Sequence, residues 1–129
     1  MLRTKLTFLS TLLLAIFFLA GCATTTGPAG AMSAYWQALI DKDAAQISSL
    51  SCAAFEAESL TTLESFNSVD IKLEDLACTV NSESGDTASV TCTGSIIATY
   101  GAEDLVIDLS QRSYTVIKEG GDWRVCGAE

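Results

Sequence analysis

At Asn67 the spacing of apolar residues changes from a helical period to a strand period, and that change sets the architecture. Before it, Met32, Tyr35, Trp36, Leu39 and Ile40 fall on one face of a helix. The pattern predicts an amphipathic helix from Ala31 to near Asp41. A second helix follows, capped by Asp43, with Gln46 in the capping-box position and Ile47, Leu50 and Ala54 on its apolar stripe. A third, short helix starts at Ala54 or Ser59 and ends at Phe66.

Beyond Asn67, Val69, Ile71 and Leu73 alternate with polar residues, and an odd step at Glu74 and Asp75 predicts a bulge before Leu76, Cys78 and Val80. Ala88, Val90, Cys92, Gly94, Ile96, Ala98 and Tyr100 share one face of the next strand. Leu105, Ile107 and Leu109 share one face of a shorter strand. Residues 112–118 and 122–126 flank Gly120 and Gly121, a pair suited to a type I′ turn. Two to three helices followed by an antiparallel meander of four to five strands make an α+β domain, with the helices on one face of a curved sheet.

The first 21 residues belong to a different kind of segment. Arg3 and Lys5 precede an apolar run from Leu6 to Leu19, the parts of an export signal. About 14 apolar residues span only about 21 Å, short of a hydrocarbon core of about 30 Å, so the segment is too short to remain as a membrane span. Leu19-Ala20-Gly21-Cys22 then resembles the lipobox of bacterial lipoproteins. That resemblance implies lipid on the Cys22 sulfur and a mature chain that starts there. It also implies anchoring in the cell envelope: the outer membrane of a two-membrane cell, given Ala23 rather than Asp in the second mature position, or the outer face of a single membrane. Residues 22–30 read as the lipidated cysteine and a tether, small and polar with the only proline, leaving 31–129 as the domain. Fully stretched, the eight residues after Cys22 reach about 26 to 29 Å.

Charge and composition exclude several functions. The chain of 129 residues has 7 basic and 16 acidic side chains and no histidine. Without the two basic residues of the signal, five cations face sixteen acids, a net charge of −11. Such a surface opposes nucleic acid, and the missing histidine removes Ser/His and Cys/His catalytic pairs and histidine-ligated metals. No cofactor or metal is expected.

Four cysteines remain besides Cys22, and an even number in an exported chain predicts two disulfides. A hairpin centred on Gly85 puts Cys78 directly opposite Cys92, which leaves Cys52 to bond Cys126. No C-x-x-C pair occurs that would favour a zinc or redox site.

The stretch Met32 to Asp43 resembles the first helix and acidic turn of NTF2-like domains, also called SnoaL-like or cystatin-like cone domains. Residues 114–126, Tyr-Thr-Val-Ile-Lys-Glu-Gly-Gly-Asp-Trp-Arg-Val-Cys, look like their last hairpin. Small bacterial lipoproteins of the DUF4878 type are similar in placing cysteines where Cys52 and Cys126 stand. The resemblance implies a curved sheet around the helices and a conical pocket, for which Tyr35, Trp36, Phe66, Tyr100, Tyr114 and Trp123 are the candidate lining aromatics. Trp123 is expected opposite Lys118 across the last turn.

The reading that follows is a non-catalytic, membrane-anchored envelope lipoprotein that binds a small apolar ligand or a protein partner. One alternative is an isomerase or dehydratase of the ketosteroid isomerase type, with Asp108 or Asp70 as base and Tyr100 or Tyr114 as donor. Alternation sets Asp108 opposite Ile107, toward solvent. Another alternative is a structural lipoprotein of envelope assembly. In a bacterial host, labelled palmitate is expected to enter the wild-type chain and to be lost with Cys22→Ala; label retained by that variant would remove the lipid anchor.

Overall fold

The computed structural model of the chain describes residues 27–129, so the export segment, Cys22 and residues 23–26 lie outside the described residues. Helix α1 (Pro28–Ile40) begins three residues earlier than its apolar pattern predicts. Residues 28–30 have the composition of a tether, yet proline suits a first helical turn. Its fixed φ matches the helix, and the N–H it lacks would have had no partner there. Gly27, at a φ of 114°, turns the chain into the helix, and its carbonyl accepts from Ala31 N at 3.0 Å. Met32, Tyr35, Trp36 and Leu39 are buried, and Ile40 is half-buried.

Helix α2 (Ala44–Leu50) is capped by Asp43, whose Oδ1 accepts from Gln46 N at 3.0 Å. Helix α3 (Glu56–Phe66) starts between the two positions considered and ends at Phe66. The link between them is tied to the sheet: Ser51 bridges Val125 in parallel, and Cys52 N donates to Val125 O at 2.8 Å. Ser51 is buried, and its hydroxyl is satisfied by Ile47 O at 2.7 Å and Ser59 Oγ at 2.9 Å. The Cys52–Cys126 disulfide closes this junction across 74 positions of sequence.

Five antiparallel strands follow: β1 (Asp70–Ser84), β2 (Thr87–Tyr100), β3 (Glu103–Asp108), β4 (Ser113–Glu119) and β5 (Asp122–Ala128). Their order is not a meander. Along one edge β2 pairs with β1, while on the other its first half pairs with β4 and its second half with β3. The reason is length. β3 has only 6 residues and covers half of the 14-residue β2, and a 3-10 turn at Leu109–Gln111 carries the chain on to the other half. β3 and β4 thus lie end to end. Leu105, expected to face the core, is 52% exposed, because β3 makes most of its contacts with β2.

Two irregularities set the register. The β1–β2 turn is Gly85 and Asp86, with Ser84 opposite Thr87, so the hairpin is not centred on Gly85. One extra residue, Asn81, then shifts the pairing and brings Cys78 opposite Cys92, where the disulfide forms across a Cα separation of 4.0 Å. Further along, the ladder steps from Ala77–Thr93 to Glu74–Ser95, with Asp75 at a φ of 53° and Gly94 at 104°. The last hairpin turns on Gly120 and Gly121, both at positive φ as a type I′ turn requires. Lys118 pairs with Trp123, its Nζ 5.6 Å from the ring centre.

The core lies between helices and sheet, where Met32, Leu39, Ile47, Val90, Val116 and Val125 are wholly buried. Each such side chain contributes about 1.5 to 3 kcal/mol relative to exposure. By the loop-entropy account the disulfides add about 3 kcal/mol for the short loop and up to about 4.7 kcal/mol for the long one. A Cβ on Gly94 would lie 2.5 Å from Glu74 O and 2.7 Å from Asp75 O. Gly94→Ala is therefore expected to cost about 2 to 4 kcal/mol in urea unfolding, from the clash and the positive φ together. An unchanged midpoint would show that the bulge relaxes freely.

Candidate functional site

Helix α1 sets Tyr35 and Trp36 against Phe55 and Tyr114. Opposite them the chain leaves β3, makes the 3-10 turn and enters β4, which brings Ile107, Leu109, Arg112 and Tyr114 to the same place. Two adjoining hollows result. The larger, about 480 Å³, is lined by Trp36, Val106, Ile107, Asp108, Leu109, Gln111, Arg112 and Tyr114. The smaller, about 150 Å³, is lined by Tyr35, Trp36, Phe55, Glu58, Thr62, Arg112, Tyr114 and Ala128. Trp36, Arg112 and Tyr114 belong to both. The larger volume falls within the range of about 300 to 1,000 Å³ typical of small-molecule sites.

The aromatic wall is held edge to face. The Trp36 ring lies 5.7 Å from Tyr35 at 78° and 5.6 Å from Tyr114 at 89°, and Phe55 lies 6.4 Å from Tyr35. The two edge-to-face pairs are favoured arrangements for aromatic quadrupoles, worth about 0.5 to 1.5 kcal/mol each beyond the area buried. One polar atom in the wall is left over: Trp36 Nε1 is buried and has no hydrogen-bond partner among the described residues.

Three of the six candidate aromatics, Tyr35, Trp36 and Tyr114, line the hollows. The other three do not. Phe66, at the end of α3, packs half-buried against the core; Tyr100 is 51% exposed at the end of β2; Trp123 lies on the last hairpin against Lys118. Sequence reasoning missed Phe55, Glu58 and Arg112. Arg112 sits where strand alternation restarts after a 3-10 turn, and nothing in the spacing gives the direction of its side chain. The only sequence hint was a lone arginine flanked by Gln111 and Ser113 in a strongly acidic chain.

Local charge and burial tune the titrating groups. Burial pushes the Tyr35 phenol up; the Ser59 hydroxyl pulls it down, and Tyr114 and Glu58 push it up further. Burial also pushes the Tyr114 phenol up, opposed by the Arg112 guanidinium and reinforced by Glu58. Both phenols are thus held as neutral donors. Asp108 lies at the rim of the larger hollow, and its carboxyl is held below the usual range by the Ser110 hydroxyl, the Ser110 N–H and the Gln111 amide. Its Oδ1 accepts from Ser110 N at 2.9 Å and Ser110 Oγ at 2.7 Å, and its Oδ2 from Gln111 Nε2 at 3.1 Å. A carboxylate so satisfied is a weaker base than a free one, the opposite of the tuning that proton abstraction near pH 7 requires. Asp70 stands exposed at the start of β1, paired with Thr99. Among the described residues no group of three or more acidic or cysteine side chains is placed to hold a metal ion.

No protein-family model matches the chain, and no curated protein matches its sequence. Solved structures do. A SEC-C motif protein from Rhodopseudomonas palustris superposes with a TM-score of 0.58 at 17% identity, over 79% of this chain and 77% of its own. A proposed ketosteroid isomerase from Shewanella frigidimarina gives 0.53 at 16% identity, covering 77% of this chain and 90% of its own. A proposed dehydratase of the NTF2-like family from Streptomyces avermitilis gives 0.51 at 18%, with coverages of 74% and 85%. The fold is the NTF2-like cone. Likeness at this level of identity establishes the NTF2-like architecture, and that fold hosts enzymes and binding modules alike.

The raised phenols link stability to pH. With folded pKa values above an unfolded value of about 10, Tyr35 and Tyr114 contribute stability that is present below pH 10 and is lost as pH rises through their folded values. Urea midpoints are expected to fall as pH rises above about 10, and less steeply in Tyr114→Phe. Equal slopes in wild type and variant would show that Tyr114 ionises alike in folded and unfolded chains.

Proposed function

We propose that the chain is a lipid-anchored envelope protein whose NTF2-like cone binds a small, largely apolar ligand. The anchor rests on the residues that lead to Cys22: a basic start, an apolar run too short to span a membrane, and a lipobox-like tetrapeptide. The observation that carries the binding reading is the larger hollow, walled by Trp36, Ile107, Leu109 and Tyr114 beside a small number of polar groups. The surface charge of −11 argues against nucleic acid as the partner.

A second reading, an isomerase or dehydratase, is favoured by two of the similar structures and by the presence of Asp108 and Tyr114 at one hollow. It is the weaker of the two, because hydrogen bonds from Ser110 and Gln111 hold the Asp108 carboxyl below its usual range and so lower its strength as a base. Native mass spectrometry of the protein released from its own envelope tests the binding reading. Binding predicts a retained mass of a few hundred daltons or less that is lost in Trp36→Ala; a bare chain at every preparation would remove the ligand-binding reading in favour of a protein partner.

A further inference from the structure

Five cations face sixteen carboxylates in the folded domain, and four of the five are already engaged. Lys42 Nζ donates to the carbonyls of Asn67 and Val69 at 3.2 and 2.9 Å. Lys72 pairs with Glu74 at 2.9 Å, Arg124 reaches Glu119 at 4.0 Å, and Lys118 lies on the Trp123 ring. Arg112 is the exception. Among the described residues it has no ion pair, hydrogen bond or aromatic face, yet it lines both hollows.

The walls do not supply the missing partner. Asp108 accepts from Ser110 and Gln111, and neither it nor Glu58, which lines the smaller hollow, forms an ion pair with Arg112 among the described residues. Beside the guanidinium stands the Tyr114 phenol, and Trp36 keeps a buried Nε1–H without an acceptor. A guanidinium fork and a phenol thus stand together on an apolar wall, while the Trp36 Nε1–H is sealed within it.

We infer that the hollow takes a small amphiphile with one carboxylate, its head on Arg112 and its apolar body along Trp36, Ile107, Leu109 and Tyr114. This rests on the ligand-binding reading and names the class of ligand. The planar guanidinium matches a carboxylate through two parallel hydrogen bonds, a geometry that an ammonium lacks. A single negative charge fits better than two, since Glu58 and Asp108 at the walls repel a second. The acidic surface opposes anions only over the screening distance, about 8 Å at physiological salt, so the contact at Arg112 decides.

The test uses residues 23–129, exported behind a separate signal so that both disulfides form; this span holds every element and core contact described above. Octanoate, octan-1-ol and octylamine share one apolar body and differ in the head, and each is titrated by calorimetry into the wild type and into Arg112→Gln. Octanoate is expected to bind the wild type about tenfold or more tightly than octan-1-ol, with octylamine weakest. Arg112→Gln is expected to bring octanoate down to the level of octan-1-ol while leaving octan-1-ol within about twofold. Arg112 is exposed and forms none of the core, so the variant keeps the fold, which circular dichroism and disulfide mapping verify. Equal wild-type binding of octanoate and octan-1-ol, or a preference for octanoate that survives Arg112→Gln, overturns the carboxylate head and leaves the ligand-binding reading standing. Failure of all three to bind overturns both.

Discussion

Where β2 passes the bulge of β1, the backbone of Gly94 lies so close to the carbonyls of Glu74 and Asp75 that no side chain fits between them. Much of the molecule depends on that approach. On one side of Gly94 β2 pairs with β4, on the other with β3, and the gap between those partners is filled by the 3-10 turn that delivers Arg112 and Tyr114 to α1. A regular β2 would continue one straight ladder. The bulge bends the strand and raises its twist, and the hollow lies beside the point where the partner strand breaks. The close approach at Gly94 and the shortness of β3 together frame the place where the site forms.

The site itself balances burial against polarity. Tyr35, Trp36 and Tyr114 pack with each other as any small core needs, but each carries a polar tip. The cost of burying those tips is met in part by Ser59 for Tyr35, and is unmet for the Trp36 Nε1. An unpaired buried donor costs about 1 to 3 kcal/mol, a large part of the net stability of a domain this size. The two disulfides let the fold carry that deficit.

The sequence made the layers of this fold readable because period is a strong signal: the helical stripe of α1, the cap at Asp43, the odd step at Glu74 and the Gly-Gly turn each follow from one local rule. The order of strands was not readable. Alternation says which side chains share a face and nothing about which edge a strand joins, so β3 and β4 looked like successive members of a meander. Cys78 and Cys92 are a subtler case. The pair follows from a hairpin centred on Gly85, whereas the turn is shifted by half a position and the extra residue Asn81 compensates. Of the site, Tyr35, Trp36 and Tyr114 were legible only as aromatics of the cone that the family resemblance implies, named together with Phe66, Tyr100 and Trp123, which line neither hollow. Arg112 was not, because its place is set by a short 3-10 turn that no periodicity describes.

The two walls of the hollow differ in how they are held. Phe55, Glu58, Arg112 and Tyr114 lie within the loop that the Cys52–Cys126 disulfide closes, whereas Tyr35 and Trp36 belong to α1, which precedes that loop and is held by its packing. That helix also carries Met32 and Leu39, both wholly buried, so the same packing that holds the core holds the aromatic wall. Loosening one wall of the hollow means breaking the disulfide, and loosening the other means opening the core.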